Sequence, residues 1–339
     1  MRAGATLSME TDPVAADLKS PVLSVSDLRV AAGHVDIVKG VSFDIAPGEK
    51  LGIVGESGSG KSLTVRSVID LLPSALQISA GSLSFKGQEL SHLPPARMRD
   101  IRGRRISMIF QDPMSSLNPV IPIGRQLTEM MRRHLDLTSR DRFRRAVDLL
   151  ERVKLPRPEQ IMKSYPHMLS GGMRQRVAIA MALTCDPELI IADEPTTALD
   201  VTVQAEVIAL LREAVDQDRT AVILISHSLD LIADFCDRIL VMYAGRVVET
   251  GATRDVVTAP FHPYTRDLIR SSPDITAAKM ARFPVIEGQP HSLADAPPGC
   301  PYHNRCEFST SVCEDEVPVL EGAVHRAACW LTRGERQVT

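Results

Sequence analysis

The segment GESGSGKS, residues 55–62, constrains the fold of this 339-residue chain more than any other feature. It follows the aliphatic run LGIV, which is typical of a buried strand, and it precedes SLTVRSVIDLL, which has helical character. Small residues in such a turn let backbone N–H groups converge on phosphate oxygens, and the helix N-terminus adds positive potential. Lys61 can reach the terminal phosphates, and the Ser62 hydroxyl can ligate Mg²⁺. The segment therefore predicts a strand, a phosphate-binding loop and a helix.

Strand-like runs alternate with helical stretches from residue 22 to about residue 258, which predicts an α/β fold with a mainly parallel sheet. KLGIVGE, ELIIADE and AVILISH are continuously aliphatic, as expected for strands buried on both faces. VLSVSDLRV, VSFDIA and GSLSF are typical of antiparallel strands with one solvated face. The sequence therefore predicts two kinds of sheet within residues 22–258.

Changes in pattern along the chain suggest where its parts begin and end. Residues 1–21 are predicted to be a disordered tail, and residues 22–258 form the main domain. Phe143, Val147, Leu150 and Val153 recur at helical spacing, which predicts a helical insertion at about residues 112–184 whose apolar stripe faces its own core. Prolines become frequent after Arg254, so residues 259–339 are predicted to be a separate C-terminal extension that carries four cysteines.

The charge balance offers no bulk attraction to a polyanion, because 39 Lys and Arg residues face 42 Asp and Glu residues. The arginine-rich run ARMRDIRGRR has no interleaved aromatic residues for base stacking, so no nucleic-acid partner is predicted. Apolar runs are shorter than the ~18 to 20 residues that a membrane helix needs. The N-terminus does not resemble a secretory signal, which favours reduced thiols over disulfides.

Two further motifs complete a nucleotide site. LIIADE ends in Asp193 and Glu194, which can contact the metal and orient or deprotonate the attacking water. In LSGGMRQR, Ser170 stands at an expected helix N-cap, and the two glycines after it expose backbone N–H groups. Taken alone, this second segment is equally compatible with a capped helix that binds nothing. Together with Lys61, the motifs indicate hydrolysis of a nucleoside triphosphate.

LSGGM, preceded by GESGSGKS and followed by IIADEPTTALD, makes residues 22–258 resemble the ABC-type ATPases. The resemblance implies a P-loop core with an antiparallel β-subdomain and a helical subdomain, which binds ATP and Mg²⁺ as a dimer of ATPase subunits. It implies catalytic roles for Glu194, His227 and Gln111, and Mg²⁺ contacts for Ser62, Gln111 and Asp193. It implies nucleotide contacts for Gly55, Ser57, Gly58, Gly60, Lys61, Ser62, Leu63, Ser170, Gly171, Gly172 and Asp200.

One feature departs from the ABC pattern. These ATPases usually stack the adenine on an aromatic residue after the first strand, but in VAAGHVDIVKG the only ring belongs to His34. Such a stack contributes only ~0.5 to 1.5 kcal/mol. The sequence therefore predicts weak selection between ATP and GTP.

Finer details resemble the D-type ATPase of oligopeptide and dipeptide importers: Met173, the run IFQDPMSSLNPV, and HPYT at residues 262–265. The resemblance implies a peripheral subunit at the cytoplasmic face of the inner membrane. Its implied partners are a related F-type ATPase, two permease subunits and an extracytoplasmic binding protein. Peptides are the implied cargo, with nickel, glutathione or a sugar as alternatives. A soluble ABC ATPase of nucleic-acid maintenance or iron–sulfur assembly is disfavoured, because the chain has one cassette and no sustained heptads.

The C-terminal extension contains four cysteines with the spacing C-x5-C-x6-C-x15-C: Cys300, Cys306, Cys313 and Cys329. Zinc sites usually contain close C-x2-4-C pairs, whereas wider gaps suit thiolates around a larger object. Resemblance to the importer family implies a [4Fe–4S] cluster. Two alternatives stay open: zinc bound with His303 or His325, and a reduced tail without metal.

Overall fold

The computed structural model describes the chain over five ranges: residues 20–112, 116–196, 200–271, 285–289 and 297–333. The predicted N-terminal tail falls almost entirely outside these ranges. Residues 113–115, 197–199 and parts of the predicted C-terminal extension also lie outside them.

The strands of the described ranges form two sheets, one of four strands and one of seven. The four-stranded sheet has the order β2-β1-β4-β5 and is antiparallel, and the larger sheet has the order β11-β10-β9-β3-β8-β7-β6. The strands are β1 (Leu23–Ala32), β2 (Val35–Ile45), β3 (Lys50–Val54), β4 (Gln77–Phe85), β5 (Gln88–Glu89), β6 (Ile106–Ile109), β7 (Leu189–Asp193), β8 (Ala221–Ile225), β9 (Arg238–Tyr243), β10 (Arg246–Ala252) and β11 (Arg326–Ala327).

The two sheets differ in how their side chains are buried. In β2, Val41, Phe43 and Ile45 are buried while the residues between them are exposed, which is the period-2 pattern of a half-solvated strand. In β7 every residue is buried, because Ile190 packs into one hydrophobic cluster and Ile191 into the cluster on the opposite face. This difference confirms the sequence interpretation of alternating and continuously aliphatic strands.

Strands β3, β6, β7, β8 and β9 are mutually parallel, so their carboxyl ends meet at one edge of the sheet. GESGSGKS follows β3, Glu194 follows β7, and His227 comes soon after β8. Ligands of open α/β sheets bind outside these carboxyl ends. The topology therefore collects the predicted catalytic segments at one edge.

The helices cover the larger sheet and form the helical subdomain. They are α1 (Lys61–Val68), α2 (Pro95–Ile101), α3 (Ile123–His134), α4 (Ser139–Arg152), α5 (Pro158–Ile161), α6 (Gly171–Ala182), α7 (Val201–Asp218), α8 (Leu229–Phe235), α9 (Thr253–Thr258), α10 (Pro263–Ser271) and α11 (Ser311–Asp315).

Helix α4 shows how the helical subdomain is specified. The Thr138 side chain caps it by accepting a hydrogen bond from the Asp141 N–H. Of the periodic residues, Leu150 and Val153 are fully buried, whereas Phe143 is 46 % exposed. The apolar stripe was therefore predicted correctly at the C-terminal end of α4 and too broadly at its start.

The C-terminal extension adds one strand to the larger sheet, at the edge of β10 that does not pair with β9. Strand β11 pairs antiparallel with β10, which places Ala327 opposite Glu249. Glu249 is fully buried, and its carboxylate accepts hydrogen bonds from the backbone N–H groups of Phe261 and His262. His325 Nε2 lies 2.6 Å from the same carboxylate. The extension thus shares the core of the main domain, and the boundary at residue 258 stays a prediction.

Candidate active site

The phosphate loop turns sharply between β3 and α1. Gly55 has φ +150°, and a Cβ there would lie 2.1 Å from the Met242 carbonyl oxygen, so no larger residue fits without rearrangement. Gly58 (φ +80°) and Gly60 (φ +98°) also adopt left-handed conformations. Ser57 is exposed, and Leu63 is half-buried in the first turn of α1.

Lys61 lies inside the loop. Its ammonium donates to the carbonyl oxygens of Gly55 and Glu56 at 2.7 and 2.8 Å. The side chain is buried, and this burial lowers the pKa of Lys61, while the carboxylates of Glu194, Asp193 and Glu56 oppose the change. Lys61 is therefore a positive charge held at the centre of a loop of backbone groups, as phosphate binding requires.

Asp193, the last residue of β7, contacts two side chains of α1. The Ser62 hydroxyl donates to Asp193 Oδ1 at 2.7 Å, and Arg66 pairs with Oδ2 at 3.2 Å. Asp193 is fully buried at the strand end. Hydroxyl and carboxylate oxygens are ligands that Mg²⁺ prefers, so the pair fits the predicted metal contact. Arg66 was missed, although its position four residues after Ser62 places both on one face of α1.

The side chain of Glu194 is held between Gln111 and His227. Gln111 Nε2 donates to Glu194 Oε2 at 2.7 Å, and His227 Nε2 lies 2.6 Å from Oε1. Glu194 is a non-glycine residue with φ 49°, which is a strained conformation that often marks functional sites. The backbone turn directs the carboxylate toward the two partners, and a carboxylate fixed in this way is suited to accept a proton from water.

The LSGGM segment caps α6. The Ser170 hydroxyl accepts a hydrogen bond from the Met173 N–H, and Gly171 and Gly172 form the first helical residues. A Cβ on Gly172 would approach Val203 of α7 to 2.9 Å, so the glycine permits close packing of the two helices. Asp200 caps α7 by accepting from the Val203 N–H at 3.0 Å. These contacts stay within the two helix ends, whereas Lys61, Ser62, Gln111, Asp193, Glu194 and His227 form one cluster.

Glu56 shows contacts that sequence reasoning missed. Its carboxylate pairs with Arg305 of the C-terminal extension, and its backbone N–H donates to the Tyr264 hydroxyl at 2.7 Å. Tyr264 belongs to the HPYT segment, and Arg305 precedes Cys306. The separation of 249 residues between Glu56 and Arg305 leaves no sequence pattern that could have revealed the pair.

The four cysteines of the extension line one small cavity of about 20 Å³, together with His303 and Trp330. All four are free thiols. Burial raises the pKa of Cys300 to about 12 and that of Cys306 to about 11, while a backbone hydrogen bond to each thiol opposes the change. His325 instead binds Glu249 and stacks on Phe261.

Within the ranges that the structure describes, no group of three or more His, Cys, Asp or Glu side chains is arranged to hold a metal ion. The cavity is also near the ~10 to 15 Å³ that one water molecule requires. Binding of an iron–sulfur cluster would require this cavity to enlarge and the thiols to lose their protons. The metal assignments of the four cysteines therefore remain predictions.

None of the helices in the described part of the chain is long and apolar enough to cross a membrane.

Comparison with known proteins identifies both parts of the chain. Residues 38–197 match the family described as ABC transporter, and residues 248–313 match the oligopeptide/dipeptide transporter C-terminal region. The chain is 45 % identical over 315 residues to the oligopeptide transport ATP-binding protein OppD of Escherichia coli (strain K12), covering 92 % of this chain and 93 % of that protein. The chain belongs to the ABC transporter ATPase family.

Other relatives agree with this assignment. This ABC ATPase is 44 % identical over 319 residues to the dipeptide transport ATP-binding protein DppD of Bacillus subtilis, covering 91 % of this chain and 94 % of that protein. It is 45 % identical over 331 residues to a probable peptide ABC transporter ATP-binding protein, y4tR, of Sinorhizobium fredii, covering 96 % and 98 %. The family resemblance found in the sequence is thereby confirmed.

Solved structures confirm the fold class. The ATP-binding cassette MJ0796, dimeric in a post-hydrolysis state bound to ADP and Pi, matches with a TM-score of 0.61 at 26 % identity, covering 68 % of this chain and 99 % of that one. CbiO1 from Clostridium perfringens matches with a TM-score of 0.62 at 26 % identity, covering 71 % and 92 %. The present chain is therefore longer than either neighbour.

Proposed function

We propose that this ABC ATPase is the ATP-hydrolysing subunit that energises an importer of oligopeptides or dipeptides. The observation that carries the proposal is the cluster of Gln111, Glu194 and His227 beside Lys61 in a chain that also has the oligopeptide/dipeptide transporter C-terminal region. The names of the relatives, which are peptide-transport ATP-binding proteins, support peptides as the cargo. Import of nickel, glutathione or a sugar by the same machinery is the alternative.

The geometry supports a specific division of labour in hydrolysis. Lys61 would neutralise the terminal phosphates, and Ser62 and Asp193 would hold Mg²⁺, which would supply further charge neutralisation at the phosphate oxygens. Glu194 accepts the proton of the attacking water. Gln111 and His227 hold that carboxylate in place through hydrogen bonds at 2.7 and 2.6 Å.

A second ATPase chain completes each ATP site in this proposal. Ser170, Gly171 and Gly172 present a capped helix N-terminus, which attracts phosphate groups. Asp200 caps the neighbouring helix α7. We propose that these residues contact ATP bound by the partner, which is a related F-type chain.

The substitution Glu194→Gln tests the catalytic assignment. It keeps the side-chain shape but removes the proton acceptor, so turnover should fall by ~10²-fold or more while the Kd for ATP stays nearly unchanged. The measurement is phosphate release from a complex whose partner site is disabled in both the variant and the reference. Turnover equal to the reference would exclude Glu194 as the base.

We propose that the permease binds in a cleft of about 380 Å³ beside Gln111. Met130 and Met181 of the helical subdomain line the cleft, and Phe110, which precedes Gln111, lines it too. Arg99 and Arg133 supply positive charge at its wall. A permease segment there would contact the chain at Phe110, one residue before Gln111. In this proposal the subunit lies at the cytoplasmic face of the inner membrane, with two permease subunits and an extracytoplasmic binding protein.

Co-purification tests this assembly. The chain should be isolated with two hydrophobic permease subunits, and proteoliposomes containing the complex should take up a peptide only when ATP is inside and a binding protein outside. Uptake of Ni²⁺, glutathione or a sugar without uptake of any peptide would support the alternative cargo. Isolation with an iron–sulfur scaffold protein and no permease would contradict the transport proposal.

We also propose that Cys300, Cys306, Cys313 and Cys329 hold a [4Fe–4S] cluster, because four thiols meet at one cavity and soft thiolate ligands suit iron–sulfur clusters. Zinc is the alternative, since His303 lines the same cavity. Iron, acid-labile sulfide and zinc should be measured after anaerobic purification of the wild type and Cys306→Ser. About four irons and four sulfides per chain, lost in the variant, would support the cluster. Stoichiometric zinc, or no metal, would contradict it.

A further inference from the structure

The second residue of the phosphate loop, Glu56, is gripped by the C-terminal extension. Arg305 Nη1 donates to Glu56 Oε2 at 2.8 Å, and Arg305 Nη2 donates to Oε1 at 2.9 Å. The backbone N–H of Glu56 donates to the Tyr264 hydroxyl at 2.7 Å, and its carbonyl accepts from Lys61 at 2.8 Å. The extension therefore contacts the same residue that holds the ammonium of Lys61.

The groups that hold Glu56 are themselves fixed. The Arg305 side chain is only 2 % exposed, and it also donates to the Tyr243 hydroxyl at 3.1 Å and to the carbonyl of Glu287 at 3.0 Å. Tyr264 is fully buried and packs against Tyr243 with ring centroids 4.6 Å apart. A planar guanidinium with several satisfied donors has little freedom to move, so Arg305 and Tyr264 together act as a rigid clamp on Glu56.

The charge of Glu56 makes this clamp relevant to nucleotide binding. Its carboxylate lies in the loop that receives the polyphosphate, where an uncompensated negative charge would repel ATP. Arg305 compensates that charge by a bidentate pair, and the side chain of Glu56 is only 23 % exposed, which limits solvent screening. Loss of Arg305 would leave a partly buried carboxylate next to the phosphates.

We propose that Arg305 and Tyr264 are positioning residues for the phosphate loop, so that the C-terminal extension forms part of the ATP site. The inference rests on the proposed role of residues 55–62 in ATP binding. The two residues act through Glu56: Tyr264 fixes its backbone and Arg305 fixes and neutralises its side chain. The extension in this way sets the loop geometry that Lys61 and the backbone N–H groups present to ATP.

The test is a double-mutant cycle with Arg305→Met and Glu56→Gln. Each single variant, the double variant and the wild type are compared for the Kd of ATP, the KM and kcat of hydrolysis, and the unfolding midpoint. We expect Arg305→Met to raise the Kd and KM for ATP by roughly tenfold, within the range of coupling between contacting residues. We expect the double variant to bind ATP better than Arg305→Met, because Glu56→Gln removes the repelling charge.

The matched control is Arg266→Met. Arg266 is a mostly buried arginine of the same extension, but its side chain pairs with Glu307. Its substitution should leave the Kd for ATP unchanged even if it lowers the unfolding midpoint. Arg305→Lys should restore part of the affinity. If Arg305→Met does not fold, Tyr264→Phe removes a single hydroxyl and should still raise the KM for ATP.

Two results would overturn the inference. In the first, Arg305→Met and Tyr264→Phe fold and bind ATP within twofold of the wild type, as Arg266→Met does. In the second, the double variant binds ATP no better than Arg305→Met. Lys61→Ala separates this outcome from failure of the proposed function: it should abolish ATP binding if residues 55–62 are the ATP site, whatever Arg305 does. Unchanged ATP binding by Lys61→Ala would instead refute the assignment of residues 55–62 as the ATP site.

Discussion

The buried carboxylate of Glu249 should control how firmly the C-terminal extension is attached. Its Oε1 accepts from the Phe261 N–H at 2.7 Å and lies 2.6 Å from His325 Nε2, and its Oε2 accepts from the His262 N–H at 3.0 Å. Glu249→Gln keeps the shape but turns one acceptor into a donor that faces another donor. A buried N–H without an acceptor costs about 1 to 3 kcal/mol, and the remaining hydrogen bonds lose charge assistance. We expect the attachment to weaken by roughly 2 to 4 kcal/mol.

Amide hydrogen exchange measures this change locally. The Ala328 N–H donates to the Val248 carbonyl at 2.8 Å and so reports whether the extension is attached to β10. A loss of about 2 kcal/mol corresponds to exchange roughly 30-fold faster. Glu307→Gln is the control, because the pair of Glu307 with Arg266 has an exposed carboxylate and contributes about 0 to 1 kcal/mol. Exchange at Ala328 within threefold of the wild type in Glu249→Gln would refute the reasoning.

Three further predictions concern single residues. Burial lowers the pKa of His262 to about 4, so the unfolded state binds more protons than the folded state between pH 6.5 and 4. The free energy of unfolding, measured by chemical denaturation, should therefore fall by about 3 kcal/mol as the pH decreases across that window. The variant His262→Gln should show a weaker pH dependence. Gly55→Ala should lower ATP affinity far more than Gly58→Ala in an equilibrium binding assay. A Cβ at residue 55 would lie 2.1 Å from the Met242 carbonyl oxygen, whereas Gly58 has open space around it. With His34 exposed in the turn between β1 and β2, hydrolysis assays should show an ATP preference over GTP below about tenfold, and a larger preference would contradict the predicted weak stacking.

The sequence predicted most members of the side-chain cluster at the sheet edge because each motif is local. Asp193 and Glu194 stand at the end of one aliphatic run, and Lys61 follows the loop that leaves another. Parallel strands bring such ends to one edge of the sheet whatever the rest of the chain does. The fold class followed from the same runs. Phe143 was assigned wrongly to a buried stripe because periodicity shows which residues share a helix face but not where the neighbouring helix ends.

Contacts between distant segments could not be predicted in this way. Glu249 is a charged residue inside a strand, and its burial depends on two backbone N–H groups that follow α9 and on His325. Likewise, nothing in GESGSGKS distinguishes a glutamate that faces solvent from one that pairs with Arg305. Charged residues are buried only when partners from elsewhere satisfy them, so tertiary structure decides their position.

Arg305 links two features of the extension, the cavity lined by four cysteines and the contact with Glu56 of the phosphate loop. The short 3-10 turn His303–Arg305 is followed directly by Cys306, whose thiol faces the cavity of the four cysteines. Arg305 leaves the same turn toward the phosphate loop and reaches Glu56. Because the backbone of one turn supports both side chains, we expect a ligand or an oxidation that displaces Cys306 to displace the guanidinium of Arg305 from Glu56 as well. Chemistry at the cysteines would therefore change the position of Glu56 in the phosphate loop through two adjacent residues, Cys306 and Arg305.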